Sequence, residues 1–415
     1  MTGKRKRKLA MPDTLIIVAS VVLLVAILSW IIPSGTYDYQ EMNINGRIRN
    51  VAIDGTYHTI DKSEVTTTGF LGFFSVLYRG CVEAADVIFM ILCCCGTFGV
   101  VVKTGAFHAG IGTILKKLKG KEILLVPIIM MIFGLGGSVF GMASEFYGFY
   151  PLIVGLGVAL GYDAMFGFAI IAVGEFVGFM GATLNPYSVG IAQTISGVEL
   201  YSGTGYRAIC FVIFMAISII YVMVYGRKIK KNPDASVVFG EKNIHAFDRD
   251  ELNEYSFTLK DGLVLLDVLV VLIVLMLGLI KWGWDFPQLC GLFLLMSMIA
   301  AAICKWSPNK WCSEFIDSAK TAMWGCILTG IAKAITVVMQ DAQIMDTVIY
   351  GLSNVLKNAP HAVSAQVMLV VQTLINFFIP SATGQASATM PIMAQLADII
   401  GVSRQTAVLA FQFGD

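Results

Sequence analysis

The sequence predicts an all-α polytopic membrane protein built as an inverted repeat, with two re-entrant hairpins and broken helices. Apolar residues make up 57% of the 415 positions and charged ones only 14%. Mean hydropathy is +0.76, whereas a soluble domain is nearer one-quarter charged. The basic residues fall in clusters between apolar runs instead of being spread. Two short apolar hairpins turn at heptapeptides of one pattern, Ser138 to Ser144 and Ser381 to Ser387.

The chain opens on Lys4-Arg5-Lys6-Arg7-Lys8, then an apolar run from Thr14 to Ile32. That run is too long for a signal peptide and no small-residue cleavage site follows it, so it predicts a retained first span with a cytoplasmic N-terminus. Residues Ser34 to Gly69 are polar, with Asp38, Glu41, Asp54, Asp61 and Glu64, and are expected outside. The span Ala84 to Val102 returns inward to Lys116, Lys117, Lys119 and Lys121, where the count places cytoplasm. Ile123 to Gly136 is apolar but short, and Phe146 to Leu160 follows a Gly/Ser-rich tip. Two short arms around such a tip predict a re-entrant hairpin, because irregular backbone at membrane depth must be buried in protein or line a cavity.

The span beginning at Ala164 meets Gly181-Ala182-Thr183-Leu184-Asn185-Pro186-Tyr187-Ser188. Proline lacks a donor and disfavours helix for its predecessor, so the span should break there and resume outward. A helix over Tyr206 to Tyr225 comes back to Arg227-Lys228-Ile229-Lys230-Lys231. In the second half, Gly262 to Ile280 and Gln288 to Cys304 form an outward and inward pair, and Lys305 to Lys320 is amphipathic. Thr321 to Met339 spans outward, Asp341 to Lys357 lies at the interface, and Val363 to Ile379 descends into the second tip. The expected units are residues 1–83, a first helix and external loop, and 84–226, a first repeat with hairpin 122–160 and broken helix 164–196. Then come a cytoplasmic linker, 227–261, scaffold helices, 262–320, and a second repeat, 321–415, with hairpin 363–400.

Both tips read Ser-x-x-Gly-x-Ala-Ser, 243 residues apart. Gly161 pairs with Gly401, and Gly174-Glu175 with Gly414-Asp415, each at a spacing of 240. The span count brings the first tip in from the cytoplasm and the second from outside, which is the inverted repeat of many secondary transporters. Small residues also favour close helix contact in membranes, but that alone does not give matched flanks and opposite topology.

The net charge of +1 gives no reason to expect nucleic acid as a partner. Nine Cys include Cys93, Cys94 and Cys95 in an apolar run without a Cys-x-x-Cys pair, and the four His (His58, His108, His245, His361) have no ligand spacing. No metal site beyond a coupling Na⁺ is expected. Intramembrane proteolysis needs a Ser/His or paired-Asp constellation that does not appear, so no enzyme is expected, and repeated broken helices suit alternating access better than a channel.

The stretch Gly141 to Gly197, with Ala159-Leu160-Gly161-Tyr162-Asp163-Ala164 and Asn185-Pro186, resembles the YfcC-like branch of the four-carbon dicarboxylate anaerobic carrier (DcuC-like) family. So does Asn376-Phe377-Phe378-Ile379-Pro380-Ser381, through Met390-Pro391-Ile392-Met393, to Arg404 and Gly414-Asp415. The resemblance covers most of the chain. It implies the ion transporter superfamily fold, a homodimer in the bacterial inner membrane, and either a basic amino acid antiporter or a dicarboxylate carrier. Family members continue past Gly-Asp with a second Asn/Pro/Ser/Thr-rich break, so half of the second broken helix and a final span are expected beyond Asp415.

A small-molecule substrate needs polar groups that replace its hydration shell at mid-membrane, and unwound backbone supplies them. Ser138, Gly141, Ser144, Thr183, Asn185, Pro186, Ser188, Ser381, Thr383, Gly384, Gln385 and Ser387 stand at the three breaks. Their bland role is local capping. Glu145, Glu175 and Asp415 are acids at depth, and Lys333 a base; buried ionisable groups mark a pathway or a partner. No Arg stands near either tip, although Arg is the usual carboxylate clamp. That favours a cationic or zwitterionic amino acid, coupled to Na⁺ or H⁺, with no other cofactor and membrane lipid around it.

Overall fold

The computed structural model describes residues 13–44, 47–53, 55–110, 113, 124–239, 257–284, 286–357 and 363–415, with the backbone alone for a few of these, Ser144 and Ser387 among them. The basic clusters Lys4–Lys8 and Lys116–Lys121, and Asp54, His245 and His361, lie outside the described residues. The chain is helical throughout its apolar part. Five stretches among the described residues are long and apolar enough to cross a bilayer, which makes this a multi-pass membrane protein.

Helix α1 (Thr14–Ile31) starts at Asp13, whose side chain accepts from the Leu15 amide, and runs apolar on all faces. The polar stretch that follows holds four short strands: β1 (Ser34–Thr36), β2 (Tyr39–Ile44), β3 (Arg47–Ala52) and β4 (His58–Ile60). β1 pairs antiparallel with β4 and β2 with β3. Asp346 anchors this stretch by accepting from Tyr37 N at 3.0 Å and Tyr39 Oη at 2.8 Å. Tyr39 is 44% exposed as a residue, yet burial of its phenol, ahead of the Asp346 charge, pushes the hydroxyl well above its usual range.

Helices α2 (Phe70–Glu83) and α3 (Ala85–Lys103) meet at a bend at Ala84. The first hairpin is α4 (Leu125–Leu135), a π segment (Gly136–Phe140), a 3-10 turn (Ser144–Phe149) and α5 (Tyr150–Ala159). Next come α6 (Ala164–Met180), α7 (Val189–Ile195) and α8 (Thr204–Lys231). Asp163 caps α6 through the Phe166 amide at 2.7 Å and also accepts from Tyr225 and Ser236, which ties the start of α6 to the end of α8. The second half contains α9 (Leu259–Lys281), α10 (Phe286–Ile303), α11 (Pro308–Ala319), α12 (Met323–Asp341) and α13 (Met345–Lys357). The chain ends with α14 (Ser364–Phe378), α15 (Ala382–Ile399) and α16 (Arg404–Gly414).

Lipid tails are as apolar as leucine, so helices associate by close packing of small residues. α2 crosses α12 where a Cβ on Gly80 would lie 2.4 Å from Gly330 O. The hairpin arms pack on a third helix: α4 and α5 both lie on α6, and α14 and α15 both lie on α16. A Cβ on Gly174 would come 2.9 Å from Met130 O, and one on Gly414 3.0 Å from Leu369 O, so the paired glycines do the same work in both repeats. One apolar core joins α3 to the first hairpin, α6, α8, α9 and α10. Another joins α13 to α16, and α7 belongs to it through Ile191 and Ala192. The segment between α6 and α7 therefore passes from one repeat's core to the other's.

Candidate functional site

That crossing is the break. Helix α6 stops at Gly181, and α7 begins only after Ser188. Pro186 cannot donate, and Asn185 organises the turn in its place. Its Oδ1 accepts from Tyr187 N at 2.9 Å and Ser188 N at 3.2 Å, while its Nδ2 donates to Gly137 O at 3.3 Å. Asn185 and Ser188 are fully buried and Thr183 is nearly so. The Ser188 hydroxyl has no hydrogen-bond partner.

The first tip lies against this break. Buried Ser138 donates to Gly181 O at 3.1 Å and meets the Thr183 hydroxyl at 3.1 Å, and its own carbonyl accepts from Thr183 N at 2.9 Å. Gly141 ends the π segment at φ +68, and a Cβ there would stand 2.5 Å from Asn185 Oδ1. Only glycine meets both demands at low cost. Glu145 is buried; its carboxylate turns back to accept from Ala143 N at 3.0 Å, while Cys94 Sγ donates to its carbonyl at 3.3 Å. Ser144 opens the 3-10 turn.

The second tip reaches the same break from the other core. Thr383 Oγ1 donates to Tyr187 O at 2.9 Å. Ser381 is exposed and caps α15 through the Gly384 amide. Gln385 is fully buried and donates to Gln372. Ser387 lies in the second turn of α15.

Two acids occupy matched places on α6 and α16 with unlike partners. Glu175 accepts from Tyr150 Oη at 3.0 Å. Asp415 accepts from Asn376 Nδ2 at 3.0 Å, and the same amide reaches Gln385 Oε1 at 3.1 Å. Among the described residues the ion pairs are Arg79–Asp341, Lys103–Glu314, Lys320–Asp317 and Arg404–Asp398, so none joins Glu145 to Lys333. A cleft of about 470 Å³ opens between β2, β3, α15 and Arg404, but no predicted site residue lines it.

Several polar residues escaped the sequence reading. Gln372, Asn376 and Thr389 complete the second tip's network. Gln412 donates to Phe179 O at 2.6 Å, joining the second repeat to the end of α6. Arg207, on α8, is 2% exposed. It is the second residue of the helix expected over Tyr206 to Tyr225. The available signal was its position at the end of α8 opposite the Arg227–Lys231 cluster, where the positive-inside rule asks for no base.

A family model described as C4-dicarboxylate anaerobic carrier matches residues 11–415. An Escherichia coli (strain K12) protein named "Putative basic amino acid antiporter YfcC" is 32% identical over 448 aligned positions, covering 100% of this chain and 88% of that one. An uncharacterized Haemophilus influenzae protein is 28% identical over 454, covering 99% and 89%. Among solved structures, the Alcanivorax borkumensis YdaH transporter aligns with 14% identity, 97% and 86% coverage and a TM-score of 0.44. Neisseria gonorrhoeae MtrF aligns with 16% identity, 98% and 85% coverage and a TM-score of 0.45. With its whole apolar body matched by one family model, this chain belongs to the C4-dicarboxylate anaerobic carrier family, a family of membrane transporters.

Proposed function

We propose that this protein is a secondary active transporter that exchanges a small amino acid, of the basic type, across the bacterial cytoplasmic membrane. The supporting observation is the convergence of both tips on one break: Ser138 from the first repeat and Thr383 from the second hold the Gly181–Ser188 segment from two separate cores. A carrier needs its site where two bodies can move against each other, and unwound backbone there offers carbonyls and amides to the solute. Glu145, Glu175 and Asp415 outnumber the bases around the breaks, which suits a cationic or zwitterionic solute and a coupling Na⁺ or H⁺. The proposal includes a cytoplasmic N-terminus, a homodimer, and Glu145, Asn185 and Ser144 as the solute-facing group. A C4-dicarboxylate is the second reading, favoured by the description of the matching family.

Counterflow of labelled solutes in proteoliposomes of the full-length protein is the test. Exchange of arginine or ornithine supports the first reading, and exchange of succinate or fumarate the second. Absence of counterflow for every solute rejects a carrier. For Glu145, the expected result is that Glu145→Gln stops exchange without loss of thermal stability. If exchange survives while stability falls, the carboxylate is structural.

A further inference from the structure

Among the described residues most buried polar side-chain atoms have partners, and the exceptions are scattered, with single atoms on Ser188, Ser196, Asp267, Thr336 and Gln412. Arg207 is the extreme case: Nε, Nη1 and Nη2 are all buried and none has a hydrogen-bond partner. A guanidinium carries five N–H donors and a charge that does not titrate at working pH. Leaving all of it desolvated and unpaired is among the costliest arrangements a protein can hold, so such a group marks a binding role more than a packing one.

Its neighbours on α8 show where it stands. Arg207 and Phe211 are four residues apart and lie on one face of the helix, and Gly203 is the cap that precedes its first turn. Gly203 stands against Gln405, since a Cβ there would meet its amide nitrogen at 2.4 Å. Phe211 stands against the break, since a Cβ on Gly181 would come 3.0 Å from the Phe211 Cα. Arg207 lies four residues, about 6 Å along the axis, from each. It is thus level with the gap between the Gln193–Ser202–Gln405 network, where the repeats meet, and the unwound Gly181–Ser188 segment. The acids at depth are already engaged: Glu145 by Ala143 N, Glu175 by Tyr150, and Asp415 by Asn376. Unpartnered groups in the neighbouring elements are the hydroxyls of Ser188 and Ser196, at the two ends of α7, and Gln412 Oε1 on α16.

We infer that Arg207 is the anchor for a carboxylate of the transported solute, holding it beside the first break. The planar fork of guanidinium donors matches two carboxylate oxygens. The Ser188 hydroxyl, in the break itself, is a donor open to such an anion, and Gln412 Oε1 is an acceptor suited to an ammonium group on the same solute. The inference rests on the transport reading. It adds that recognition begins at a carboxylate, a group shared by amino acids and dicarboxylates, so acids elsewhere in the site would do the discriminating.

The test is thermal unfolding of the full-length purified protein with arginine, ornithine, succinate and fumarate, the corresponding amides, and inorganic phosphate, alongside counterflow. The expected result is that at least one carboxylate raises the Tm by several degrees and its amide does not. Arg207→Gln should abolish that shift, leave the ligand-free Tm equal or higher, and raise the half-saturating solute concentration at least tenfold. Arg207→Lys, which keeps the charge but not the fork, should recover only part of the affinity. The inference is overturned if Arg207→Gln keeps the carboxylate shift, or if both variants lower the ligand-free Tm sharply, which would make Arg207 structural. It is also overturned if phosphate alone shifts the Tm, or if no carboxylate does. Counterflow of a solute without a carboxylate would overturn it while leaving the carrier reading standing.

Discussion

The two tips share a heptapeptide and fold differently. In the first, Gly136 to Phe140 widens into a π segment, Gly141 turns left-handed, and a 3-10 turn leads away. In the second, α14 ends at Phe378, Ser381 is extended and caps, and α15 starts at once. The flanks decide this. Gly137 sits where Pro380 sits in the other repeat, and a Cβ on Gly137 would lie 2.8 Å from Glu175 O. Proline at the matching place fixes its own φ and keeps Ile379 out of helix. The first tip is therefore buried against its own repeat's break, while Ser381 in the second tip is exposed and Thr383 beside it reaches across to the other repeat. A repeated motif preserves the position of a turn; its neighbours set the conformation and so the partner.

The central glycines of the two heptapeptides offer the largest contrast. Gly141 is left-handed and crowded by Asn185, whereas Gly384 is helical and its nearest potential neighbour is the Ser381 hydroxyl at 3.3 Å. Gly141→Ala combines left-handed strain of about 1–2 kcal/mol with a displaced Asn185, for a loss of about 3 kcal/mol. Gly384→Ala should change stability by less than about 1 kcal/mol, because alanine is the better helix former. Unfolding of the two purified variants compares them directly. Equal losses would mean that the tips share one conformation.

Next in size is the break, which is held from both sides. Asn185→Ala strips partners from the Tyr187 and Ser188 amides and from Gly137 O in a buried setting, at about 1–3 kcal/mol in all. Thr383→Val removes one bond to Tyr187 O and should cost about 1 kcal/mol. Exchange kinetics separate their roles. Asn185→Ala should abolish exchange along with the local fold, while Thr383→Val should change the exchange rate in a protein of near-normal stability. If Thr383→Val leaves the rate unchanged, the contact between second tip and first break plays no part in transport.

Much of this arrangement is legible in the sequence because its causes are local. Pro186 after Asn185, the glycine pairs and the short arms each act within a few residues, and the elements fall close to where those signals place them. What escapes has non-local causes. Helix α2 buries Val76 and Gly80 against α12. Its other faces carry exposed Phe70, Leu71, Phe74 and Tyr78, so no polar flank sets it apart from α3. Strands β2 and β3 pair antiparallel within the stretch Ser34 to Gly69, whose polar composition marks a loop more strongly than its short runs mark strands. The Gln372–Gln385–Asn376–Asp415 network joins three helices, and no spacing rule within one helix brings such residues together. The burial of Arg207 is set by the helices around α8 and not by its own stretch of sequence.

The smallest effect should come from the first residue of each heptapeptide. Ser138 is fully buried, and its hydroxyl serves the last turn of α6 through Gly181 O and meets Thr183. Ser138→Ala leaves that carbonyl without its hydroxyl donor in a dry environment and should cost about 1–2 kcal/mol. Ser381 does a different job: it caps α15 through the Gly384 amide at 3.3 Å, in an exposed position where water can replace it. A cap of this kind is worth about 0.5–1 kcal/mol, and the long, exposed geometry argues for the lower end. Ser381→Ala should therefore shift the thermal midpoint by less than half as much as Ser138→Ala. Ser381→Asp, which keeps an acceptor for the α15 amide and adds a charge favourable at a helix N-terminus, should restore or exceed the original stability. Ser138→Asp should be worse than Ser138→Ala, because the same charge would be buried against a carbonyl. If aspartate has the same effect at both positions, the two serines are equivalent, and the division between a buried brace and an exposed cap fails.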